Sequence, residues 1–217
     1  MVKLNFRLIS LVLFTVITID VISAQKIFMI GDSHVGSKIY PKKVEEVVKS
    51  KNPDAQLAYS YKNGLRFSTL ESNPENLKAM VSFKPEILLV NLGTNEAFTN
   101  KFSPSRLKKG MESFYSVVKK KLPDVKVVFI TPYTNKIKDN GSLKVNTSNR
   151  AAADVMLEFV EENPGTYVID INEKIGNKFI DSPKLIRDNV HLTVDGYKML
   201  GKEVGEGLLE IPGIGIE

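Results

Sequence analysis

The chain has 217 residues, no cysteine and a formal net charge of +5 at pH 7. The absence of cysteine excludes disulfides and attachment to a lipid through an N-terminal cysteine. The basic residues are scattered along the chain, and the run Lys119–Lys121 ends a predicted helix, which is typical of a solvated helix end and does not indicate nucleic-acid binding.

The N-terminus has the pattern of a secretory signal peptide. Two basic residues precede the apolar run Leu8–Ile19, and Ala24 supplies the small residue expected at a cleavage site. An uncleaved membrane anchor is the alternative, but about 20 apolar residues are needed to span a bilayer and Asp20 ends the run early. We therefore expect cleavage of residues 1–24, export to the periplasm or the exterior, and no stable membrane insertion after cleavage.

The rest of the chain alternates between short apolar runs and longer segments with helical periodicity. The predicted strands are Lys26–Ile30, Gln56–Ser60, Ile87–Asn91, Val125–Ile130 and Tyr167–Ile171. The predicted helices are Pro41–Ser50, Pro74–Ser82, Pro104–Leu122, Asn149–Glu162 and Val194–Leu209. This alternation predicts an α/β fold with a doubly wound parallel sheet in one domain, residues 25–211, followed by a tail, residues 212–217.

Three local features refine this prediction. Ser103 has the position of an N-cap before Pro104, and Thr193 has that of an N-cap for the last helix. The segment Thr131–Val145 is longer than most strand-to-helix connections, so we expect a mobile or substrate-shaping loop there. Because ligands of such sheets bind at the carboxyl ends of the strands, functional residues should follow each strand.

The chain has only two histidines, and His191 has the position of a catalytic base. It follows Asp188 by three residues, just before the last predicted helix. In a turn, this spacing lets the carboxylate accept a hydrogen bond from one ring nitrogen while the other faces outwards. The same pair also fits a helix-flanking histidine beside an ordinary turn aspartate.

A hydroxyl and two hydrogen-bond donors follow the first three predicted strands. Ser33 comes directly after the first strand and is the candidate nucleophile, while Gly64 and Asn95 follow the second and third. A serine nucleophile needs donors directed at the oxyanion that forms on attack. Each residue alone also fits ordinary turn chemistry, but together they favour acyl transfer at one edge of the sheet.

These residues fall in four short blocks whose order resembles that of the SGNH (GDSL-type) hydrolases. The blocks are Gly31-Asp32-Ser33, Gly64, Gly93-Thr94-Asn95 and Asp188-x-x-His191. The resemblance spans nearly the whole chain after residue 24. It implies a flavodoxin-like three-layer α/β/α sandwich with a mainly parallel five-stranded sheet.

The resemblance also implies the role of each residue. Ser33, His191 and Asp188 would form a catalytic triad without a metal or cofactor. The oxyanion hole would consist of the Ser33 N–H, the Gly64 N–H and the Asn95 side chain. No Gly-x-Ser-x-Gly elbow surrounds Ser33, which argues against an ordinary α/β-hydrolase lipase.

Two residues depart from the family pattern. Glu96 stands where the family more often has aspartate, which could alter how the Asn95 loop is braced, and His34 stands in place of the commoner leucine. His34 could line an acyl pocket, or it could pack or face solvent. With Tyr133 from the long loop, His34 and Glu96 are the residues that we expect in a substrate pocket.

Export, a small single domain and no long apolar lid favour a short acyl group on an extracellular polymer. The strings Gly-Asp-Ser-His and Gly-Thr-Asn-Glu loosely resemble bacterial glycan O-acetylesterases. We expect removal of acetyl groups from peptidoglycan or a plant polysaccharide, with an acylated glycan or small ester as the partner. A lipolytic esterase or thioesterase, a non-catalytic glycan-binding domain and an acyltransferase remain as alternatives.

Overall fold

The computed structural model describes residues 25–99, 102–139 and 142–212. The predicted signal peptide, residues 1–24, and residues 213–217 of the predicted tail lie outside the described residues. None of the described helices combines the length and the apolar character that crossing a membrane requires.

The described residues form seven strands. They are β1 Lys26–Gly31, β2 Gln56–Tyr61, β3 Ile87–Asn91, β4 Lys126–Ile130, β5 Lys136–Asp139, β6 Ser142–Val145 and β7 Thr166–Ile169. Five of them make one parallel sheet in the order β2-β1-β3-β4-β7. Gly31 pairs with Asn91 on one side and with Tyr61 on the other, so β1, β2 and β3 end level with one another.

Helices cover both faces of this sheet. They are α1 Ile39–Lys49, α2 Pro74–Phe83, α3 Thr94–Ala97, α4 Pro104–Lys121, α5 Thr147–Glu162, α6 Ile171–Ile175, α7 Lys178–Asp181 and α8 Val194–Glu210. One apolar core joins the sheet to α1 and α8, and a second joins it to α2, α4 and α5. The central strands are buried on both faces, which explains their continuous apolar sequences. The predicted α/β/α sandwich with a five-stranded parallel sheet is confirmed.

The packing of α1 on α8 depends on two glycines. A Cβ at Gly205 would lie 2.6 Å from the Cβ of Val47, and one at Gly201 would lie 2.8 Å from the Tyr40 carbonyl oxygen. Larger side chains would therefore push α8 away from α1. Since α8 directly follows His191, this close contact also positions the turn that carries the histidine.

The structure corrects three local predictions. The segment 131–145 contains an antiparallel hairpin, β5 with β6, instead of an irregular loop. The last strand of the sheet ends at Ile169, because the Asp170 carboxylate accepts the Asn172 N–H and begins α6. Helix α4 begins at Pro104 as predicted, but the Ser103 side chain makes no capping bond to the backbone. Thr193 does cap α8, since its hydroxyl accepts the Gly196 N–H.

Candidate active site

Ser33 lies in a sharp turn at the carboxyl end of β1, between the ends of β2 and β3. The turn depends on Gly31, where a Cβ would lie 2.3 Å from Val35 Cγ2 and 2.9 Å from the Asn91 carbonyl oxygen. The Gly36 N–H donates to the Asp32 carbonyl and closes the turn at 3.1 Å. The Ser33 side chain is left half-buried at the edge of the sheet.

The three side chains predicted as a triad form one hydrogen-bonded chain. Ser33 Oγ lies 3.0 Å from His191 Nε2. On the other side of the ring, His191 Nδ1 lies 3.0 Å from Asp188 Oδ2 and 3.1 Å from Oδ1. With the proton on Nδ1, the ring donates to Asp188, and Nε2 is free to accept the hydroxyl proton of Ser33.

Asp188 is held as a carboxylate by the turn to which it belongs. Its Oδ1 accepts the backbone N–H groups of Val190 at 2.8 Å and His191 at 2.7 Å. Partial burial acts to raise the pKa of Asp188, but these two donors and the imidazole together hold it well below its usual range. Asp188 is therefore charged when it orients the histidine.

The turn that carries Asp188 and His191 is held in place by contacts with other parts of the chain. A Cβ at Gly196 would lie 2.3 Å from the Leu185 carbonyl oxygen, so α8 approaches this segment closely. The Tyr133 hydroxyl donates to the Val190 carbonyl, and Asn135 Nδ2 donates to the Asn189 carbonyl at 3.2 Å. The segment leading into the hairpin thus supports the turn that carries Asp188 and His191.

His34 is buried behind His191. Its Nδ1 lies 3.2 Å from the Tyr197 hydroxyl, and its ring centre lies 5.7 Å from that of His191 and 5.5 Å from that of Tyr133. Burial, followed by the charge of His191, lowers the pKa of His34 to about 3. The side chain is therefore a neutral packing group against the back of the His191 imidazole.

His34 should make the protein's stability depend on pH. Because the pKa of His34 is about 3 in the folded state and that of an ordinary histidine is about 6.5, the unfolded chain binds a proton between these values that the folded chain does not bind. The contribution of His34 to the free energy of unfolding should therefore rise between about pH 3 and pH 6.5, by about 5 kcal/mol. Replacing His34 by leucine should remove this part of the slope in urea denaturation between pH 4 and 7.

Tyr197→Phe is the matched control for that experiment. It removes the hydrogen bond to His34 but leaves the buried imidazole, so its pH slope should stay close to that of the unchanged protein. Asp32 contributes in the opposite direction, because burial raises its pKa to about 7, and both variants retain it. An unchanged slope in His34→Leu would contradict the assignment.

Asn95 and Asp32 connect the first and third strand ends. Asn95 Nδ2 donates to Asp32 Oδ2 at 2.7 Å and, more weakly, to the Leu65 carbonyl at 3.3 Å. The other carboxylate oxygen of Asp32 accepts the His34 N–H at 2.9 Å. Asp32 is buried, and it orients the Asn95 amide beside the turn that carries Ser33.

Gly64 has a conformation that favours glycine. Its φ is +75°, in the left-handed region, although a Cβ there would have nothing within 4 Å. Glycine is therefore favoured here by the backbone conformation, and not by a lack of space for a side chain. It lies exposed at the end of β2, two residues before Arg66.

Glu96 braces the Asn95 loop against the Gly64 loop. Its Oε1 accepts the Phe67 N–H at 2.7 Å, so the carboxylate joins the residues after β2 to those after β3. Burial raises the pKa of Glu96. The departure from aspartate at this position thus has a structural consequence, since the longer side chain holds the two loops together.

The three residues expected in a substrate pocket occupy different environments. His34 is 1% exposed and Tyr133 is 4% exposed, so the expectation that they contact a substrate is replaced by a supporting role behind His191. Glu96 is partly exposed and borders a small cavity. Within residues 25–99, 102–139 and 142–212, no cluster of three or more potential metal-ligating side chains occurs.

Sequence reasoning assigned no role to two residues of this region. Asp32 follows β1 directly, and its position beside Ser33 could have indicated a residue that orients the site. Tyr197 bonds to His34 across 163 positions of the chain, and no local pattern predicts such a pair.

A serine, a histidine and an aspartate are joined by hydrogen bonds at the carboxyl edge of an α/β/α sandwich. This is the arrangement of a serine-type ester hydrolase. The chain belongs to the GDSL-like lipase/acylhydrolase family, whose model matches residues 30–199. The protein is a carboxylic ester hydrolase, and the family predicted from the sequence is confirmed.

Solved structures of several esterases share the fold. An acetyl xylan esterase, AlAXEase, is 18% identical with a TM-score of 0.66, covering 84% of this chain and 99% of that one. A peptidoglycan O-acetylesterase is 10% identical with a TM-score of 0.67, covering 86% and 91%. A carbohydrate esterase family 3 protein from Talaromyces cellulolyticus is 16% identical with a TM-score of 0.63, covering 86% and 97%. At these identities the likeness establishes the fold alone. A search of the curated proteins gave no match.

Proposed function

We propose that this protein is an exported serine esterase that removes short acyl groups, chiefly acetyl, from an extracytoplasmic glycan such as peptidoglycan or a plant polysaccharide. The observation that carries the proposal is the 3.0 Å contact between Ser33 Oγ and His191 Nε2. A contact of this length lets the imidazole take the hydroxyl proton as the oxygen attacks a carbonyl carbon.

The reaction proceeds through an acyl-enzyme. Ser33 Oγ bonds to the ester carbon while its proton passes to His191 Nε2, and Asp188 stabilises the resulting imidazolium. The imidazolium then protonates the alcohol oxygen, which leaves. In the second half, His191 takes a proton from water, the hydroxide attacks the acyl carbon, and Ser33 recovers its proton as the acid is released.

The oxyanion is stabilised by the Ser33 N–H, the Gly64 N–H and the Asn95 side chain. Of the two bonds made by Asn95 Nδ2, the one to Leu65 is the longer, at 3.3 Å, and it is the one that can be exchanged for the oxyanion. The 2.7 Å bond to Asp32 keeps the amide oriented while this happens. Donors fixed before the reaction cost no reorganisation in the transition state.

The glycan part of the proposal has two supports. The N-terminal sequence has the pattern of a secretory signal peptide, so extracellular polymers would be accessible. Two structures with the same fold are those of an acetyl xylan esterase and a peptidoglycan O-acetylesterase. Their names say that these two proteins act on polymeric carbohydrates.

Acetate release from two polymers tests the proposal. We expect the protein to hydrolyse p-nitrophenyl acetate and to release acetate from O-acetylated peptidoglycan, acetylated xylan or both. Preference for long acyl chains in a series of p-nitrophenyl esters, with no acetate from either polymer, would identify a lipolytic esterase or thioesterase instead. Binding to a polymer without hydrolysis of any ester would identify a glycan-binding domain, and acetyl transfer to an added sugar would identify an acyltransferase.

A further inference from the structure

Among the described residues, three aromatic side chains are exposed, and one of them lies close to Ser33. They are Tyr59, Tyr61 and Phe98, which are 39%, 40% and 44% exposed. Tyr59 and Tyr61 both belong to β2 and are two residues apart, so they point to the same face of the sheet. The mechanism described above uses none of these rings.

The Tyr61 ring packs on the backbone of the turn that carries Ser33. A Cβ at Gly36 would lie 2.7 Å from both Cδ2 and Cε2 of Tyr61, so the ring rests directly on this glycine. Gly36 follows Ser33 by three residues in the same helical turn, in which the Gly36 N–H donates to the Asp32 carbonyl. Residues at this spacing are about 5–6 Å apart, so the ring lies within roughly 10 Å of Ser33.

This contact holds the ring in place while much of it stays open to solvent. The Cδ2–Cε2 side of the ring contacts Gly36, and the rest of the side chain is exposed. A tyrosine has few side-chain torsions, so a ring held in this way loses little conformational entropy when a ligand packs on it. The Tyr61 hydroxyl has no hydrogen-bond partner among the described residues and is available to a ligand.

The strand that carries Tyr61 lies at the edge of the sheet. Among the described strands, β2 pairs only with β1. Its outer side therefore presents backbone N–H and C=O groups that the sheet does not use. An aromatic ring beside such polar groups suits a ligand that has both apolar C–H groups and hydroxyls. A sugar is a ligand of this kind, whereas a long acyl chain offers no hydroxyls.

We propose that Tyr61 binds the sugar next to the acylated one, so that the enzyme prefers acetyl groups on a saccharide chain to those on a single sugar. A pyranose with equatorial substituents has C–H groups on its faces, and the negative face of an aromatic ring attracts them. Covering the exposed part of the ring adds a hydrophobic contribution. The inference rests on the proposed esterase function and specifies the length and the ring type of its substrate.

Substrates of different length test the inference. Acetate release is measured on O-acetylated xylose and O-acetylated xylotriose, and on O-acetylated N-acetylglucosamine and the corresponding β-linked trisaccharide. We expect kcat/KM to be about tenfold or more higher for the trisaccharide in at least one pair, because a well-placed aromatic side chain commonly contributes this much to binding. The pair that shows the preference identifies the type of sugar.

Tyr61→Ala should remove that preference, chiefly through KM, and Tyr61→Phe should keep most of it because the ring remains. Tyr59→Ala is the matched control. Tyr59 has the same exposure and lies on the same face of β2, but it pairs with Met29, farther from the carboxyl end of the strand. Its preference for the trisaccharide should remain that of the unchanged protein, and thermal midpoints should show that all three variants are folded.

The possible failures are distinguishable. Equal kcat/KM on single sugars and trisaccharides would overturn the inference and leave the esterase function standing, and so would an equal loss of preference in Tyr59→Ala and Tyr61→Ala. A dimer in sedimentation velocity that dissociates in Tyr61→Ala would place a second copy of the chain on this ring and would also overturn the inference. No acetate release from any saccharide would overturn the proposed function itself.

Discussion

Ser33→Ala should lower kcat for p-nitrophenyl acetate by a factor of about 10⁴ to 10⁶. In the proposed mechanism Ser33 Oγ bonds to the acyl carbon, and it lies 3.0 Å from His191 Nε2, which would accept its proton. Without it, water must attack directly, and only binding and the oxyanion donors still contribute. Initial rates of nitrophenol release measure the effect.

Ser37→Ala is the matched control for this variant. Ser37 lies in the same segment after β1, and its hydroxyl accepts the Tyr40 N–H at 3.2 Å, so it has a structural bond and no catalytic contact. We expect Ser37→Ala to retain most of the activity. Circular dichroism and the thermal midpoint should show that Ser33→Ala stays folded, and undiminished turnover in that folded variant would refute the assignment of the nucleophile.

His191→Ala should lower kcat by a similar factor, about 10⁴ to 10⁶. The histidine links the carboxylate of Asp188 to the hydroxyl of Ser33, so its removal leaves the serine with no group to take the proton. The effects of Ser33→Ala and His191→Ala on kcat should not multiply, because the two side chains act as one unit. The double variant Ser33→Ala/His191→Ala should therefore be about as active as either single variant.

Added imidazole separates the base role of His191 from a structural one. Removal of the His191 side chain leaves a space next to Ser33 Oγ. Free imidazole that binds in this space can accept the hydroxyl proton. We expect partial recovery of His191→Ala activity above the rate of Ser33→Ala in the same imidazole buffer, which corrects for direct hydrolysis by imidazole. Equal rates for the two variants at every imidazole concentration would count against proton transfer by the ring.

The two histidines of the chain have opposite environments, and this difference supports the roles proposed for them. His191 is partly exposed and bonded on both ring nitrogens, to a carboxylate and to a hydroxyl. His34 is buried, its Nε2 has no partner among the described residues, and its low pKa keeps it neutral. A neutral ring behind His191 adds no positive charge that would disfavour the imidazolium formed during catalysis.

Much of the fold was predictable because its signals are local. The buried strands are continuous apolar runs, and the helices show apolar residues at intervals of three and four, so the bounds of Ile87–Asn91 agree with the structure. The hairpin β5–β6 was missed because its strands are short and lie in a polar segment. The Asn140-Gly141 pair between them is the sequence feature that could have predicted it.

The sequence by itself determined which residues follow the first three strands and the spacing of Asp188 and His191. In a parallel sheet the carboxyl ends of all strands meet at one edge, so listing the strand ends was enough to predict that Ser33, Gly64 and Asn95 lie together. The bond from Asp188 to His191 is equally local, since four consecutive residues of one turn contain it.

Only the tertiary structure decided which way these side chains face and what lies behind them. The contact between Ser33 and His191 joins residues 158 positions apart, and it depends on how closely α8 packs on α1. The burial of His34 and Tyr133 and the cavity beside Glu96 depend in the same way on distant elements. Such contacts result from the packing of whole helices and strands, and packing leaves no periodic pattern in the chain from which they could be predicted.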